Sequence, residues 1–221
     1  MIAIIGDVHR SFNIFEDIVA GLPRDLDAVI QVGDLGLRAS DLRGVNGGEK
    51  RGEAVLRLMR RVYWIDGNWD DFGGLGLREL SEPTELFPNL IYIPRGTVLE
   101  MDHRRVGFLG GAESIATETR VAGRNWWPEL EGVSDSDVTR LIAAATRTDG
   151  VDLDLIVTHT PPAATTERMT GQVAHLSSFR LQRAAHALSG VPWVAGHMHR
   201  SFREQGPPPV TVLDELELII V

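Results

Sequence analysis

Short apolar runs alternate with amphipathic segments along the first third of the chain. The runs Ile2 to Ile5, Ala28 to Val32 and Val62 to Ile65 are bounded by polar residues, which is typical of short buried strands. Between them, Ser11 to Leu22 and Ala54 to Arg61 place apolar side chains at helical spacing. The first of these helices begins at a serine that can cap it and stops before a proline. This order of strands and helices predicts a parallel sheet with helices packed on it.

The middle of the chain has a different pattern. Glycine-rich, polar residues from Arg38 to Gly52 predict a loop. Further on, Leu90 to Ile93, Thr97 to Met101 and Val106 to Leu109 predict three strands joined by tight polar turns, which indicates antiparallel hairpins.

The last third returns to alternating helices and strands. A helix is predicted over Ser134 to Thr146, where Ser134 and Asp137 have the spacing of a capping box, and another over Leu176 to Leu188. The predicted strands of this part, the last two of them antiparallel, are Leu153 to Val157, Trp193 to Ala195, Val210 to Leu213 and Leu216 to Val221.

One long polar stretch, Ala112 to Gly132, has no clear period. Loops longer than about 12–15 residues without regular structure are usually functional or disordered. Trp126, Trp127 and Pro128 argue against disorder. Since the sequence has no repeat or linker, we expect a single domain over residues 1–221, with a lid or cap loop at residues 112–132.

Composition excludes several classes of protein. A net charge of −9 and a pI near 5.2 argue against a general nucleic-acid surface and against an anionic membrane surface. The absence of cysteine excludes disulfides and thiolate metal sites. No apolar run approaches the roughly 20 residues of a membrane span, and no basic segment precedes an apolar one at the start. We therefore expect a cytoplasmic protein without membrane partners.

Residues that can bind a metal ion follow five of the predicted strands. Alternate residues of an extended chain point the same way, so Asp7 and His9 can face one point. Ligands of open α/β sheets bind beyond the carboxyl ends of the strands. The donors at these strand ends are Asp7, His9, Asp34, Asn68, His159, His197 and His199.

All seven donors suit the same class of metal ion. Imidazole, carboxylate and amide oxygen without sulfur suit Mn, Fe, Zn, Ni or Co. Seven donors exceed what one such ion needs, so we expect two divalent ions that share a carboxylate, with Mn as the first choice. Paired metals about 3.5–4 Å apart recur in displacement at phosphorus. Two divalent ions outweigh the charges of Asp7 and Asp34, so the site should attract a phosphate ester.

Taken together, five short motifs resemble the motif set of the calcineurin-like metallophosphoesterases. In chain order they are Gly6-Asp7-Val8-His9, Gly33-Asp34, Gly67-Asn68, Thr158-His159 and Gly196-His197-Met198-His199. The resemblance implies an α/β fold, a four-layer sandwich of two mixed β-sheets flanked by helices, with a dinuclear centre at the strand ends. It also implies a hydrolase in which a metal-bound hydroxide attacks phosphorus in line.

The resemblance assigns roles to these positions. The first ion would be held by Asp7, His9, Asp34 and His199. The second would be held by Asp34, Asn68, His159 and His197, with Asp34 bridging. The implied catalytic residues are Asp7, Asp34, Asn68 and His159, and Asn68 also belongs to the implied substrate-binding residues.

Trp69 is the main departure from the family pattern. The family usually has a histidine here, which is expected to protonate the leaving group or contact the phosphate. An indole N–H does not give up its proton at useful pH. We therefore expect phosphodiesters, or monoesters with good leaving groups, to be the preferred substrates. His175 is the best candidate for a replacement acid, and Asp70 should keep a structural role.

Arginines near the predicted site are candidates for binding the substrate phosphate. Arg10 follows a predicted ligand, and Arg120 and Arg124 lie in the lid stretch. Arginine binds phosphate through two parallel hydrogen bonds, although loop arginines are often only solvated. Likewise, Trp126 and Trp127 either form a platform for a base or sugar or pack onto their own domain. The expected partner is a phosphate-ester small molecule or a nucleotide.

Two other functions remain open. The first is a phosphoprotein phosphatase, although Gly33-Asp34-Leu35-Gly36 lacks the Val-Asp-Arg-Gly extension that such phosphatases would carry. The second is a non-catalytic scaffold that binds a partner protein, against which the full set of donors argues. Bound metal and turnover of an activated aryl phosphate ester would distinguish an enzyme from a scaffold.

Overall fold

The computed structural model describes residues 1–42, 56–115 and 117–221. Within these ranges, the strands are β1 (Ile2–Ile5), β2 (Ala28–Gln31), β3 (Val62–Trp64), β4 (Thr84–Phe87), β5 (Leu90–Tyr92), β6 (Thr97–Met101), β7 (Arg104–Leu109), β8 (Thr146–Arg147), β9 (Gly150–Val151), β10 (Leu155–Thr158), β11 (Trp193–Ala195), β12 (Phe202–Glu204), β13 (Val210–Val212) and β14 (Leu218–Ile220). The α-helices are α1 (Phe12–Gly21), α2 (Ala39–Leu42), α3 (Phe72–Leu75), α4 (Pro128–Glu131), α5 (Asp135–Ala145), α6 (Ala163–Thr170) and α7 (Leu176–Ala187), and Leu77–Glu79 is a 3₁₀ turn.

Two mixed sheets of six strands each form the centre of the molecule. The first has the order β14-β1-β2-β3-β5-β4, and the second has the order β12-β13-β11-β10-β7-β6. The four inner strands of each sheet are parallel, and the outer strands are antiparallel to their neighbours. The register pairs Ile2 with Ala28 in the first sheet and Leu109 with Thr158 in the second.

Alternation along β1 shows how the layers stack. Ile2 and Ile4 pack in the apolar cluster that lies between the two sheets, whereas Ala3 and Ile5 pack with the side chains of α1. The outer face of the second sheet is covered by α5 and α7. Because both faces of each sheet are buried, the inner strands are mainly apolar, as in β1 and β11. The predicted sandwich of two mixed sheets flanked by helices is confirmed.

Helix caps were predicted with mixed success. The capping box of α5 is present, since Ser134 Oγ accepts from the Asp137 N–H while the Asp137 carboxylate accepts from the Ser134 N–H. Ser11 lies at the start of α1, but its side chain makes no capping hydrogen bond, so that part of the prediction is wrong. In the described part of the chain, no helix is long and apolar enough to cross a bilayer.

The predicted helix from Ala54 to Arg61 is wrong over its described part. Residues 56–61 contain no helix, and residues 54 and 55 lie outside the described residues. Leu56 and Leu58 are buried while Met59 is exposed, which is the two-residue period of an extended segment. Of the loop predicted over residues 38–52, residues 39–42 form α2, and residues 43–52 lie outside the described residues.

The predicted hairpins are correct only in part. β6 and β7 form an antiparallel hairpin, but β5 belongs to the first sheet and β6 to the second. The chain therefore crosses between the sheets at Pro94-Arg95-Gly96. The antiparallel partner of β5 is β4, which the sequence did not predict because its pattern is interrupted by a register shift. The closing strands each have one antiparallel neighbour, but β13 also pairs in parallel with β11.

Candidate metal centre

Six acidic and imidazole side chains meet at the carboxyl ends of strands from both sheets. Their ligand atoms form two groups, and within each group all the atoms lie within 4.8 Å of one another. The first group is Asp7, His9, Asp34 and His199, and the second is Asp34, His159 and His197. Asp34 belongs to both groups. Each group could hold a metal ion, and the two groups divide the Asp and His donors as the family resemblance implies.

Short distances join the rings and carboxylates of the first group. His9 Nε2 lies 2.9 Å from His199 Nε2 and 3.7 Å from carboxylate oxygens of both Asp7 and Asp34. His199 Nε2 lies 3.3 Å from Asp7 Oδ2. The side chains of Asp7 and Asp34 are almost completely buried, so their charges are shielded from solvent and act strongly on these rings.

The predicted amide ligand, Asn68, lies beside the second group. His159 Nε2 lies 3.4 Å from Asp34 Oδ1 and 3.3 Å from Asn68 Oδ1. The His159 and His197 rings pack edge to face, with 4.9 Å between their centroids. The amide oxygen of Asn68 therefore lies beside His159, and its role as a metal ligand stays a prediction.

Asp34 shows that these residues fit a cation. Its Oδ2 atom is buried and has no hydrogen-bond partner among the described residues. A buried carboxylate oxygen without a partner is costly, and a bound cation would remove that cost. The surrounding nitrogen and oxygen donors, without sulfur, suit a divalent transition metal.

Two histidine rings are oriented through the nitrogen that faces away from the cluster. His159 Nδ1 lies 2.9 Å from the Val32 carbonyl oxygen, and His199 Nδ1 lies 3.0 Å from Glu215 Oε1. Metal-binding histidines are usually held in this way, which leaves Nε2 free for the metal. Glu215 was not predicted from the sequence. It lies between β13 and β14, beyond the last of the five motifs.

Several donors adopt backbone angles that most residues avoid. φ is 45° at His9, 55° at Asp34, 67° at His197 and 45° at His199. Such left-handed conformations cost on the order of 1–3 kcal/mol and cluster at functional sites. They turn the chain sharply where it leaves β1, β2 and β11, which brings these side chains to the cluster.

The motif glycines make room for these donors. Gly33 has a φ of 105°, and a Cβ atom there would lie 2.5 Å from His159 Nδ1. At Gly67, a Cβ atom would lie 2.2 Å from Asp34 Oδ1. Any larger residue at these positions would displace a donor, which is the physical reason for the Gly-Asp and Gly-Asn pairs.

Burial and neighbouring charge oppose each other within the cluster. Burial alone would raise the pKa of Asp7, but His199, His9 and His159 outweigh it and hold that pKa below its ordinary value. Burial alone would lower the pKa of His159, but Asp34 and Asp7 raise it to about 10. For His197, burial and then the positive charge on His159 lower the pKa to about 4. The cluster thus favours protonation of His159, and a metal would compete with that proton.

Trp69 and Arg120 border the cluster on the side of His9. The Trp69 ring is 53% exposed and meets the His9 ring edge-on, with 5.2 Å between centroids. Arg120 lies over the Trp69 ring, with Cζ 4.6 Å from the centroid, and donates to Ser114 Oγ at 2.7 Å and to the Asn68 carbonyl at 3.4 Å. Through Arg120, the stretch 112–132 contacts the segment that carries Asn68.

This stretch is more ordered than predicted. It contains α4, and the buried Glu131 accepts from the N–H groups of Ser114 and Trp127, which ties the two parts of the stretch together. Trp127 packs against Phe72, with 6.1 Å between ring centroids, as in the packing alternative. Trp126 forms an isolated bridge with Ala122.

The remaining predicted residues lie in varied surroundings. Arg10 donates to the Asp41 carboxylate and to the Gly36 carbonyl. Arg124 is exposed, and its side chain has no hydrogen-bond or ion-pair partner within the described ranges. The phosphate contacts predicted for Arg10, Arg120 and Arg124 stay predictions. His175 lines a small pocket that also includes His197.

Asp70 has the structural role expected of it. Its buried carboxylate accepts from the N–H groups of Gly36 and Gly67, both at 2.8 Å. It therefore joins the turn after β2 to the turn after β3. These two turns carry Asp34 and Asn68, so Asp70 holds two of the predicted ligands in register.

Comparison with known proteins agrees with this geometry. A comparison with curated proteins finds no match. A family model described as calcineurin-like phosphoesterase matches residues 1–201. The matched region contains both groups of donors and every strand from β1 to β11, whereas β12, β13 and β14 follow it. The chain therefore belongs to the calcineurin-like phosphoesterase family.

Proposed function

We propose that this protein is a metal-dependent phosphoesterase that hydrolyses phosphate esters at a dinuclear metal centre. Membership of the family supports a phosphoester substrate. The observation that carries the proposal is the pair of donor groups that share Asp34, whose Oδ2 atom is buried without a partner. A bridging carboxylate with an unsatisfied oxygen is what a two-ion site needs.

In this proposal the ligands are divided as the two groups suggest. One Mn²⁺ is held by Asp7, His9, Asp34 and His199, and the other by Asp34, Asn68, His159 and His197. Fe, Zn, Ni and Co are the alternatives to Mn that the same donors accept. When bound, the ions would lower the pKa of water and stabilise charge on the phosphoryl oxygens.

The other side chains bind and orient the substrate. The Asn68 amide is fixed by a 3.3 Å hydrogen bond to Ser114 Oγ, so its position at the site is set before substrate arrives. Trp69 stands where an acid would protonate the leaving group, and it has no proton to give at useful pH. We therefore propose phosphodiesters, or monoesters with activated leaving groups, as the substrates.

The first experiment measures metal content and turnover together. Elemental analysis of the purified protein should find about two divalent ions per chain. p-Nitrophenyl phosphate and bis(p-nitrophenyl) phosphate should both be hydrolysed on addition of Mn²⁺, and chelation should abolish the activity. Asp17→Asn, on the exposed face of α1, is the control for a surface carboxylate. A protein with neither bound metal nor turnover would instead be the non-catalytic scaffold.

We also propose that residues 1–221 form one domain in which residues 112–132 act as a lid. Both sheets contribute donors to one cluster and share one apolar interior, which supports a single domain. In the lid, Arg120 and Arg124 would clamp an anionic substrate over the ions. Arg120→Ala or Arg124→Ala should lower kcat/KM with metal content and Tm unchanged. Arg203→Ala, on an edge strand, is the control, and wild-type kinetics in both lid variants would refute the clamp.

A further inference from the structure

A cavity of about 260 Å³ lies beside the candidate metal centre. Its lining includes Arg38, Trp69, Arg120, Arg124 and Trp127. Trp69 forms the border between the two sites, since its ring also contacts His9. A ligand at the metal centre could therefore extend directly into this cavity.

The lining of the cavity carries an excess of positive charge. The guanidinium groups of Arg38 and Arg124 have no hydrogen-bond or ion-pair partner within the ranges that the structure describes. Among the described residues, the hydrogen-bond acceptors of Arg120 are neutral oxygens. Three cations without a carboxylate partner in a chain of net charge −9 form a local field that attracts anions.

The acid in the lining, Asp71, offsets only part of this positive charge. The Asp71 carboxylate accepts from the N–H groups of Gly74 and Ala39, at 2.8 and 3.1 Å, and so caps α3. Its oxygens are held by the backbone rather than by a guanidinium. Surface arginines are often only solvated, but here three of them converge on one concave site with two indole walls.

The shape of the cavity suggests which part of a ligand it takes. Binding sites for drug-sized ligands usually measure roughly 300–1,000 Å³, so this cavity has room for one portion of such a molecule. Arg120 lies between the cavity and the backbone of Asn68, a predicted metal ligand. A substrate could thus place one phosphate at the metal centre and a second anionic group among the arginines.

We propose that this cavity binds a second phosphate group, carried by the substrate beside the phosphate ester that is hydrolysed. The inference rests on the proposed phosphoesterase function and makes the substrate a bisphosphate, of which a nucleoside bisphosphate is the simplest form. Arg38, Arg120 and Arg124 hold the second phosphate, since arginine forms paired hydrogen bonds with phosphate oxygens. The indoles of Trp69 and Trp127 contact the sugar or base between the two phosphates.

A matched pair of substrates tests the proposal. The p-nitrophenyl ester of thymidine 5′-phosphate and the same ester with an added 3′-phosphate share the scissile bond and the leaving group. Wild-type protein with Mn²⁺ should have a kcat/KM about 10- to 100-fold higher for the ester with the 3′-phosphate, mainly through KM, because one or two charged contacts are gained. Arg38→Ala and Arg124→Ala should bring this ratio towards one, and the control Arg203→Ala should leave it unchanged.

A binding measurement gives a second readout that does not depend on turnover. In calorimetry, thymidine 3′,5′-bisphosphate should bind about 10-fold or more tightly than thymidine 5′-monophosphate, and Arg38→Ala should remove the difference. Equal kcat/KM for the two esters, or a preference that survives in both variants, would overturn the second-phosphate site while leaving the phosphoesterase in place. Hydrolysis of neither ester, in protein that binds no metal, would refute the proposed function and with it this inference.

Discussion

Two buried carboxylates, Asp34 and Asp66, lie just beyond neighbouring strands of the first sheet and have opposite surroundings. Asp66 follows β3 and accepts from Arg95 Nε at 2.9 Å and from the Tyr92 hydroxyl at 2.8 Å. Asp34 follows β2 and is surrounded by histidines, and its Oδ2 atom has no hydrogen-bond partner in the described ranges. One carboxylate is fully compensated by the protein, and the other is not.

The compensated cluster around Asp66 and Arg95 connects separate segments of the fold. Arg95 is completely buried and also donates to the carbonyls of Gly132 at 2.6 Å and Glu131 at 2.7 Å, so it joins the end of β3 to the end of the lid stretch. A second acid, Asp137, lies 3.6 Å from Arg95. Every charge in this cluster has an opposite charge beside it. The comparison shows that a buried acid paired with a guanidinium stabilises the fold. A buried acid with imidazole neighbours and one oxygen without a partner can instead bind a metal.

The largest effect is expected from breaking the compensated cluster. Arg95→Met should lower the free energy of unfolding by about 3–5 kcal/mol, because Asp66 would stay buried without its partner. Urea denaturation measures the loss. The double variant Asp66→Asn with Arg95→Met should recover part of it, since no isolated charge then remains. A stability of Arg95→Met equal to wild type would show that the pair contributes nothing.

Breaking the uncompensated cluster should affect function rather than stability. Asp34→Asn should lower kcat/KM by more than about 100-fold and reduce bound metal, because both donor groups share this carboxylate. Its Tm should hold or rise, since a buried charge with an unsatisfied oxygen is removed. Elemental analysis and thermal unfolding, with Asp17→Asn as control, separate the two effects. Unchanged metal content in Asp34→Asn would contradict the bridging role.

Trp69 gives a further test of the uncompensated cluster around Asp34. It borders this cluster, and its indole has no acidic proton to donate to a leaving group. A positioned general acid contributes about 10²–10⁴-fold, so rates should depend steeply on the pKa of the leaving group. Trp69→His should raise turnover of alkyl phosphates about tenfold or more and change nitrophenyl esters little. Trp69→Phe is the control that removes the indole without adding an acid. A flat dependence in wild type would mean that another residue, such as His175, supplies the proton.

The smallest effect is a pH dependence at Asp137. Burial raises its pKa, but Arg95, the Ser134 N–H and Arg78 outweigh burial and hold the pKa below its ordinary value. Because the folded pKa is the lower one, the stabilisation is present above the unfolded pKa of about 3.9 and is lost as pH falls through the folded value. Asp137→Asn should cost about 1 kcal/mol at neutral pH, as loss of a cap does, and flatten the fall of Tm in acid. If the Tm of Asp137→Asn fell in acid as steeply as the Tm of the wild type, this role of Asp137 would be wrong.

Local patterns predicted several elements with their boundaries. β1, β6 and β11 have the predicted boundaries, and the helix predicted from Leu176 differs by one residue at its end. The prediction failed from Leu56 to Leu58, because the apolar residues of this segment predict a helix although Leu56 and Leu58 are buried two positions apart and Met59 is exposed. It also missed β4 and β12, which are short edge strands with exposed polar residues.

The sequence alone determined which donors this protein offers, because apolar runs mark the strand ends that Asp7, Asp34 and His159 follow. Only the tertiary structure decided how the two sheets bring Asp34 together with His159, that Glu215 orients His199, and that Asp66 is neutralised by Arg95. The physical reason is the distance along the chain over which each effect acts. Spacing and propensity act within a few residues, whereas sheet order and charge pairing depend on packing between segments far apart in the chain.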